Sequence, residues 1–249
     1  MLEIRSLYFS YGRQNVLKGI SHVFKRGAFT AVMGPNGCGK TTLIKNMAGL
    51  LSSLKGEITI KGIPLGNFSL IELSKIIGYV PQKPSSLPVM TVTESVLAGR
   101  IPFISYSETK KDMSAAKSVI SELGLENVKD RYVNEISGGE LQKTLIAQAL
   151  ARDPEILLLD EPLNNLDMKN QFEIMKLIQH RVKRSNITAV SVLHDLNAAL
   201  KFCDELVLMK DGEIVFCSNP QKLSSSIILD VFNVECEIIN KDARIYAVY

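Results

Sequence analysis

The sequence has no apolar run long enough to cross a bilayer and no segment typical of a secretion signal. Its densest apolar stretches, such as Ile156–Leu159, have the length of a strand, whereas a membrane-spanning helix needs about 18–20 apolar residues. The first ten residues, MLEIRSLYFS, have neither a basic start nor a long apolar centre. These absences predict a chain without a membrane span that is made and kept in the cytosol.

Cysteine and surplus charge are also scarce. Cys38, Cys203, Cys217 and Cys236 form no C-x-x-C pair and lie in no histidine-rich stretch, which predicts ordinary buried, reduced thiols rather than a metal site. The 249 residues include 29 Lys+Arg and 26 Asp+Glu, a net charge of +3. This near balance gives no electrostatic argument for a nucleic-acid partner, and none is predicted. With 46% hydrophobic residues, the composition is that of a globular protein of one or two domains.

Strand and helix patterns alternate along the chain. The predicted strands lie near residues 4–9, 28–33, 56–62, 77–80, 156–160 and 188–193, and the predicted helices near 40–50, 168–182 and 196–202. This alternation predicts an α/β core with parallel strands. Residues 91–151 instead have helical spacing throughout, so we expect residues 88–150 to form a helical subdomain inserted into the core. Asp211-Gly212 between two short apolar runs predicts a β-hairpin.

A phosphate-binding loop follows the apolar segment at residues 29–33. It fits the pattern G-x-x-x-x-G-K-[ST] with Gly34, Pro35, Asn36, Gly37, Cys38, Gly39, Lys40 and Thr41. Glycines let successive backbone N–H groups point at a phosphate, and the N-terminus of the following helix adds its positive dipole end. We expect Lys40 to neutralise the β- and γ-phosphate oxygens, Thr41 to place its hydroxyl on Mg²⁺, and Thr42 to donate to the α-phosphate.

Two carboxylates end the apolar run at residues 156–159. A run that is apolar at every position is typical of a strand buried on both faces of a parallel sheet, and ligands bind beyond the carboxyl ends of such strands. We therefore expect Asp160 to hold Mg²⁺ and Glu161 to orient or deprotonate an attacking water. Two acids after an apolar strand are equally typical of an ordinary loop start, but the phosphate-binding loop upstream favours the catalytic interpretation.

A second helix start with glycines lies at residues 136–140, where Ile136 is followed by Ser137, Gly138, Gly139 and Glu140. A serine N-cap, two glycines and a fresh helix N-terminus make another potential anion site. A chain that binds one nucleotide rarely needs two separate binding sites for the γ-phosphate. The simplest explanation is that this loop serves a nucleotide bound to another copy of the protein.

Taken together, these motifs resemble, in order and over the whole chain, those of the ATP-binding-cassette (ABC) ATPases. The sequence ISGGE is similar to the family's LSGGQ signature, with isoleucine and glutamate at its first and last positions, and Leu163 stands where threonine is usual. Tyr11 in FSYG resembles the adenine-stacking aromatic, and Gln82 in YVPQ the Q-loop glutamine. Residues 164–167 resemble the D-loop, and His194 in VLHD resembles the switch histidine.

The resemblance implies a P-loop NTPase fold with an N-terminal antiparallel β subdomain. A single ABC ATPase domain would cover residues 1–249, with residues 1–87 and 151–249 forming the β subdomain and core, and residues 88–150 the helical signature subdomain. It further implies a homodimer in which each ATP lies between the phosphate loop of one copy and the signature loop of the other.

Particular residues then take roles from the family. Ser137 and Gly139 would contact the γ-phosphate across the dimer interface, and Asp167 would order the facing site. Gln82 would sense Mg²⁺ and transmit motion to a partner, and His194 would act beside Glu161. The implied substrate is ATP and the implied metal is Mg²⁺, held by Thr41, Gln82 and Asp160.

Three further stretches are similar to ATPases of iron–siderophore, haem and vitamin B12 importers: residues 92–102 (VTESVLAGRIP), VLHDLNAAL, and residues 219–249. This resemblance implies a subunit on the cytoplasmic side of the membrane. It would bind a separate integral membrane permease, in part through the Gln82 loop and residues 87–100, and through that permease a substrate-binding protein. The cargo would be a metal chelate or a corrinoid.

Two alternatives come from other functional classes. One is a soluble ABC ATPase acting in iron–sulfur assembly, translation or DNA repair, although the chain has no second cassette, long coiled-coil insertion or strongly basic arm. The other is a P-loop kinase or GTPase, in which ISGGE and Tyr11 would have no role.

Overall fold

The computed structural model describes residues 1–53, 55–82, 89–164, 166–241 and 244–249. Its strands are β1 (Leu2–Tyr11), β2 (Gln14–Phe24), β3 (Phe29–Met33), β4 (Lys55–Ile60), β5 (Ile63–Pro64), β6 (Ile77–Val80), β7 (Ile156–Leu159), β8 (Thr188–Val192), β9 (Glu205–Lys210), β10 (Glu213–Ser218), β11 (Glu237–Lys241) and β12 (Arg244–Val248). Its α-helices are α1 (Lys40–Met47), α2 (Leu70–Ile76), α3 (Val92–Ala98), α4 (Lys110–Glu122), α5 (Gly138–Leu150), α6 (Met168–Ser185), α7 (Leu196–Phe202) and α8 (Ser225–Phe232).

The central sheet has the strand order β10-β9-β3-β8-β7-β6. Five neighbouring strands, β9, β3, β8, β7 and β6, pair in parallel. Strand β10 pairs with β9 in the antiparallel direction and forms one edge of the sheet. Every residue of β3, β7 and β8 is buried, because the sheet is covered on both faces. Ala31 and Leu157 face one layer of the core, and Val32 and Leu158 face the other. The predicted α/β core with parallel strands is confirmed.

An antiparallel sheet with the order β2-β1-β4-β5 packs beside this core. It is the antiparallel β subdomain that the family resemblance implied. Strand β2 was not among the strands expected from the pattern. Its pairing with β1 has several register shifts, and a shift interrupts the two-residue alternation by which a half-buried strand is recognised. Leu17, Ile20 and Phe24 nevertheless bury its inner face.

The segment expected to be helical contains α3, α4 and α5. Each of the three helices begins with a capping box, made by Thr91 with Glu94, Thr109 with Asp112, and Ser137 with Glu140, which satisfies backbone donors at the helix start. Buried apolar residues of these helices share one core cluster with one face of the central sheet. The boundary expected at residues 87 and 88 lies outside the described residues.

The carboxyl-terminal part contains a confirmed prediction and a missed helix. The turn between β9 and β10 has Asp211 at φ 50° and Gly212 at φ 87°, the two positive φ values of a type I′ hairpin turn. Helix α8 was not expected, since its eight residues offer only two apolar turns. Among the described residues, none of the helices combines the length and the apolar character that a bilayer crossing requires.

Candidate active site

The phosphate-binding loop connects the end of β3 to the start of α1. Gly34 has φ 151°, and a Cβ at this position would lie 2.1 Å from the carbonyl oxygen of Met209 on β9. Gly39 is the N-cap of α1 with φ 106°, where its Cβ would lie 2.9 Å from Leu17 of β2. Only glycine fits these two positions, because one is in close contact with backbone and the other has a left-handed conformation.

The first turn of α1 is available to bind an anion. Its N-cap Gly39 provides no side-chain hydrogen bond, so N–H groups of the first turn remain for a ligand. Lys40 is 5% exposed, and its ammonium group donates to the carbonyl oxygens of Gly34 and Pro35, both at 2.8 Å. These bonds hold its positive charge over the loop. Burial raises the pKa of the neighbouring Cys38 thiol, which therefore stays neutral.

Asp160 follows β7 and meets this loop at the carboxyl edge of the sheet. Thr41 Oγ1 donates to Asp160 Oδ1 at 2.9 Å. Asp160 is 1% exposed, and burial raises its pKa above the ordinary value despite the hydrogen bond from Thr41. A buried carboxylate beside a hydroxyl is an all-oxygen donor pair of the kind that Mg²⁺ prefers. The residues present therefore fit this ion, which would also offset the burial of the charge.

Glu161 occupies the centre of a hydrogen-bonded group. Its Oε1 lies 2.9 Å from His194 Nε2, and its Oε2 accepts hydrogen bonds from the side-chain amides of Gln82 and Asn164. Burial alone would raise the pKa of Glu161, but the contacts with His194, Asn164 and Gln82 outweigh it and lower the pKa. The carboxylate is thus held ionised and in a fixed direction. Its backbone has φ 53°, a strained conformation that costs about 1–3 kcal/mol.

Tyr11 ends β1 at the hairpin that leads into β2. Its side chain is 51% exposed and packs edge-on against Phe9 with a ring separation of 4.8 Å. Strand β2 runs back beside the phosphate loop, because Val16 and Leu17 are the residues that a Cβ at Gly39 would meet. The exposed ring therefore lies on a hairpin whose second strand contacts the phosphate loop.

The signature loop is organised separately from this site. Ser137 is the exposed N-cap of α5, and its hydroxyl accepts from the backbone N–H of Glu140, whose carboxylate accepts from Ser137 N at 2.9 Å and from Ser137 Oγ at 2.7 Å. These hydrogen bonds lower the pKa of Glu140. A Cβ at Gly139 would lie 3.6 Å from side-chain atoms of Leu166 and Asn170, so the loop packs against the start of α6.

Asp167 is the N-cap of α6. Its carboxylate accepts from the backbone N–H of Asn170 at 2.7 Å and from the side-chain amide of Asn170 at 3.0 Å. Asn165, which belongs to the same D-loop, lies outside the described residues. The capping bonds fix the Asp167 side chain, while its role toward a facing site stays a prediction.

The structure brings together residues 34–42, Gln82, Asp160, Glu161 and His194. Asn164 completes the group and was not expected to act on Glu161. The sequence identified Asn164 only as part of the D-loop. Its contact forms because the turn after β7 brings residue 164 back beside the side chain of Glu161. Gln82 was expected near Mg²⁺, and the structure places its amide nitrogen on Glu161.

One sequence expectation about the cysteines is wrong in part. Cys38 and Cys203 are buried, but Cys217 is exposed and Cys236 is half-buried. Cys217 lies beside His22 and Glu205. These residues are far apart in the sequence, so ligand motifs with short spacing do not reveal them. The cluster forms because β2 packs beside β10, which is paired with β9.

Comparisons with known proteins agree with the geometry. The ABC transporter family model matches residues 17–164. An uncharacterized ABC transporter ATP-binding protein of Methanocaldococcus jannaschii is 40% identical over 96% of this chain and 94% of that protein. The petrobactin import ATP-binding protein YclP of Bacillus subtilis is 34% identical over 100% of this chain and 99% of that protein.

Solved structures give the same result. A dimeric ABC transporter cassette, also solved in a post-hydrolysis state with ADP and Pi, matches with a TM-score of 0.80 and 28% identity, covering 90% of this chain and 100% of that chain. An inward-facing transporter described as of the metal-chelate type matches with a TM-score of 0.84 and 26% identity over 100% of this chain and 97% of that chain. The protein therefore belongs to the ABC transporter family and is one of its ATPases, similar to the ATP-binding proteins of siderophore importers.

Proposed function

We propose that this ATPase energises the import of a metal chelate or corrinoid, of the iron–siderophore, haem or cobalamin type. It would work as a homodimer on the cytoplasmic side of the membrane, bound to a separate permease that receives cargo from a substrate-binding protein. The names of relatives support this proposal, since petrobactin and ferric enterobactin import proteins are 34% and 30% identical to this chain.

The observation that carries the proposal is the position of Glu161. It lies one residue beyond Asp160, is ionised, and is held by His194, Gln82 and Asn164. A carboxylate fixed in this way can accept a proton from, or orient, a water that attacks the γ-phosphate. His194 would hold the carboxylate in place as the proton moves, and Lys40 would neutralise charge on the phosphate oxygens.

Mg²⁺, when bound, would neutralise charge that develops on the phosphate oxygens. Thr41 and Asp160 are the residues that would hold it. The side-chain oxygen of Gln82 is a further candidate ligand, since only its amide nitrogen is used by Glu161.

The arrangement of the signature loop supports a dimer. Ser137 and Gly138 are exposed, and this helix start lies against α6 rather than over the phosphate loop. A nucleotide held by residues 34–42 would leave its γ-phosphate side open for the signature loop of a second copy. Dimeric structures of a related cassette support the same arrangement.

An exposed apolar surface supports docking to a permease. Leu70 and Ile71 at the start of α2 are 80% and 63% exposed, and α2 contacts the short 3-10 helix at residues 101–103. Ile101, Phe103 and Tyr106 are also exposed. Contiguous apolar side chains of this size mark an interaction surface. Part of the expected groove, residues 83–88, lies outside the described residues.

The substitution Glu161→Gln tests the catalytic assignment. It keeps the size of the side chain and its hydrogen bond to an amide, but it removes the proton acceptor, so ATP turnover should fall by about 10²–10⁴-fold. ATP binding should be retained, and ATP should now stabilise a dimer visible by light scattering. Glu213→Gln, an exposed site on β10, is the matched control. Near-normal hydrolysis by the Glu161 variant would remove this residue from the role.

The substitution Ile71→Glu tests the docking surface. A charge in the apolar contact should prevent co-purification with the permease encoded beside it or co-expressed with it, while ATP binding by the isolated protein is retained. Leu229→Glu on α8, which is 45% exposed, is the matched control. Unchanged co-purification of the Ile71 variant would exclude this surface as the docking site.

A further inference from the structure

A second cluster of ligand-type side chains lies at the opposite end of the central sheet from the nucleotide site. His22 on β2, Glu205 on β9 and Cys217 on β10 place one potential ligand atom each within 4.8 Å of one another. Among the residues that the structure describes, this is the group in which three histidine, cysteine or acidic side chains meet at such distances. From this geometry we infer a Zn²⁺ site that ties the antiparallel β subdomain to the core sheet.

The distances within the cluster suit a tetrahedral metal. Cys217 Sγ lies 3.4 Å from His22 Nδ1 and 3.7 Å from Glu205 Oε1. Ordinary Zn–N, Zn–O and Zn–S bonds in a tetrahedron separate such ligand atoms by about 3.4–3.6 Å. The two ring nitrogens of His22 have different neighbours, Nδ1 facing Cys217 and Nε2 facing Glu205. One of these nitrogens would bind the ion together with the other two ligands after rotation of the His22 and Glu205 side chains.

The ligand types select the metal. One imidazole nitrogen, one carboxylate oxygen and one sulfur form the mixed set that Zn²⁺ accepts. Mg²⁺ and Ca²⁺ require oxygen ligands and are disfavoured by the thiol and the imidazole. The Mg²⁺ expected at Thr41 and Asp160 should therefore not compete for this cluster.

Neighbouring groups hold the ligands in place. Thr30 Oγ1 donates to Glu205 Oε2 at 3.1 Å. The His22 ring packs edge-on against Phe24, with ring centroids 4.5 Å apart. Support of this kind orients ligands and raises metal affinity.

The cluster is open to solvent on one side and distinct from the nucleotide site. The side chains of His22 and Glu205 are only 10% and 14% exposed, whereas Cys217 is exposed. An ion can thus reach the cluster from the side of the thiol. Thr30 and Met33 are three residues apart on β3, about 10 Å, and the phosphate loop begins only after Met33.

The test uses the full chain freed of metal with a chelator that is then removed, and it titrates Zn²⁺ in the presence of excess Mg²⁺. We expect one Zn²⁺ per chain at micromolar concentrations or below, and a raised Tm, because an ion that binds only the folded state stabilises it. Titration with Co²⁺ should produce the near-ultraviolet absorption of a thiolate–cobalt bond, which reports on sulfur ligation directly.

Variants identify the ligands. Cys217→Ser should abolish the thiolate–cobalt absorption, and His22→Gln should weaken Zn²⁺ binding by more than the 10–100-fold typical of losing a supporting residue. Cys236→Ser, at a half-buried thiol outside the cluster, is the matched control and should change neither. Circular dichroism establishes whether each variant is folded. Glu205→Gln, which removes the carboxylate ligand, is the third cluster variant, and it replaces His22→Gln if that variant does not fold.

Three outcomes would overturn the inference. They are the absence of a thiolate–cobalt band in the folded protein, a band that persists in Cys217→Ser, and Zn²⁺ binding that is equally tight in all three cluster variants. Any of these would leave His22, Glu205 and Cys217 as a hydrogen-bonded group that joins the strands without a metal.

Discussion

The molecule contains two glycine-bearing helix starts with opposite local energetics. The start of α1 has an N-cap, Gly39, without a side-chain hydrogen bond, and it lies beside the buried carboxylate of Asp160 and the strained backbone of Glu161. The start of α5 is satisfied by its own side chains, since Ser137 and Glu140 cap each other. The backbone N–H groups at the start of α1 have no side-chain acceptor from the cap residue, whereas those at the start of α5 are capped by side chains of the same helix.

This difference fits two separate tasks. Unsatisfied N–H groups and a buried acid at one place favour a ligand that brings phosphate oxygens and a cation. A capped and exposed helix start is a rigid surface that can be presented to another molecule. The start of α1, where the chain would hold its own nucleotide, is thus expected to be less stable locally than the start of α5, which would meet the nucleotide of a second copy.

Alanine at one glycine from each helix start gives the largest contrast. Gly34→Ala should destabilise the fold by about 2–3 kcal/mol, because its Cβ would lie 2.1 Å from the Met209 carbonyl oxygen. Gly139→Ala should leave the free energy of unfolding unchanged or raised by up to about 1 kcal/mol, since alanine favours a helix and the site has room. Urea denaturation measures both.

ATPase activity should distinguish Gly139→Ala from a substitution that has no effect on function. A methyl group at Gly139 would pack against Leu166 and Asn170 of its own chain and add bulk to the loop that must approach a phosphate of the facing copy. ATPase activity should therefore fall about tenfold or more, equivalent to about 1.4 kcal/mol. Gly66→Ala, where a Cβ would meet nothing within 4 Å, is the control. Full activity of a stable Gly139 variant would contradict a role for this loop in hydrolysis.

A smaller gain in stability is expected from Asp160→Asn. Burial raises the pKa of Asp160 above its ordinary value of 3.8, so the folded state binds a proton more readily than the unfolded chain. The stability contributed by this group therefore falls as the pH rises from the unfolded pKa through the folded pKa. At neutral pH the substitution should therefore raise the free energy of unfolding by about 1 kcal/mol, and it should abolish Mg²⁺-dependent hydrolysis.

The pH dependence provides the check. The gain should shrink below the unfolded pKa, where Asp160 is protonated in both states and no charge is buried. Denaturation of the wild type and the variant at neutral and acidic pH measures it. If Asp160→Asn were less stable than the wild type at neutral pH, burial of the ionised Asp160 carboxylate would not destabilise the fold.

The smallest effect is expected at the signature helix. The pKa of Glu140 is lowered by its hydrogen bonds with Ser137, so its contribution is present above the unfolded pKa and is lost as pH falls through the folded value. Glu140→Gln should cost about 0.3–1 kcal/mol at neutral pH, the value of an anion at a helix N-terminus, and nothing in acid. Thermal unfolding at two pH values measures this difference.

Much of the fold could be predicted because its pattern is local. The apolar run at residues 156–159 and the Asp211-Gly212 turn each follow from neighbouring residues, and the structure confirms both. Strand β2 was missed because irregular pairing with β1 interrupts its alternation. Helix α8 was missed because it is stabilised by packing on β9, which the sequence does not display.

Residue patterns alone predicted the candidate site only where the chemistry depends on adjacent residues, while Gln82 and His194 were identified through the family resemblance. The phosphate loop and the Asp160-Glu161 pair have fixed spacing, so the sequence revealed them. The contact of Asn164 with Glu161 depends on the path of a turn, and the cluster at Cys217 depends on three strands meeting. The first contact is local but depends on the backbone path of the turn, and the second joins residues that are distant in the sequence, so neither follows from a single-sequence pattern.

The most direct test of the account mixes two inactive variants. Lys40→Ala removes the buried ammonium group from the phosphate loop, and Gly139→Ala obstructs the signature loop. Each variant alone should have little activity, because both sites of its homodimer are damaged. In a mixed dimer, the phosphate loop of the Gly139 variant faces the signature loop of the Lys40 variant, and one intact site forms. An equal mixture should therefore regain up to about a quarter of the wild-type sites, measured as ATP hydrolysis. Activity no greater than the average of the separate variants would contradict a nucleotide held between two copies.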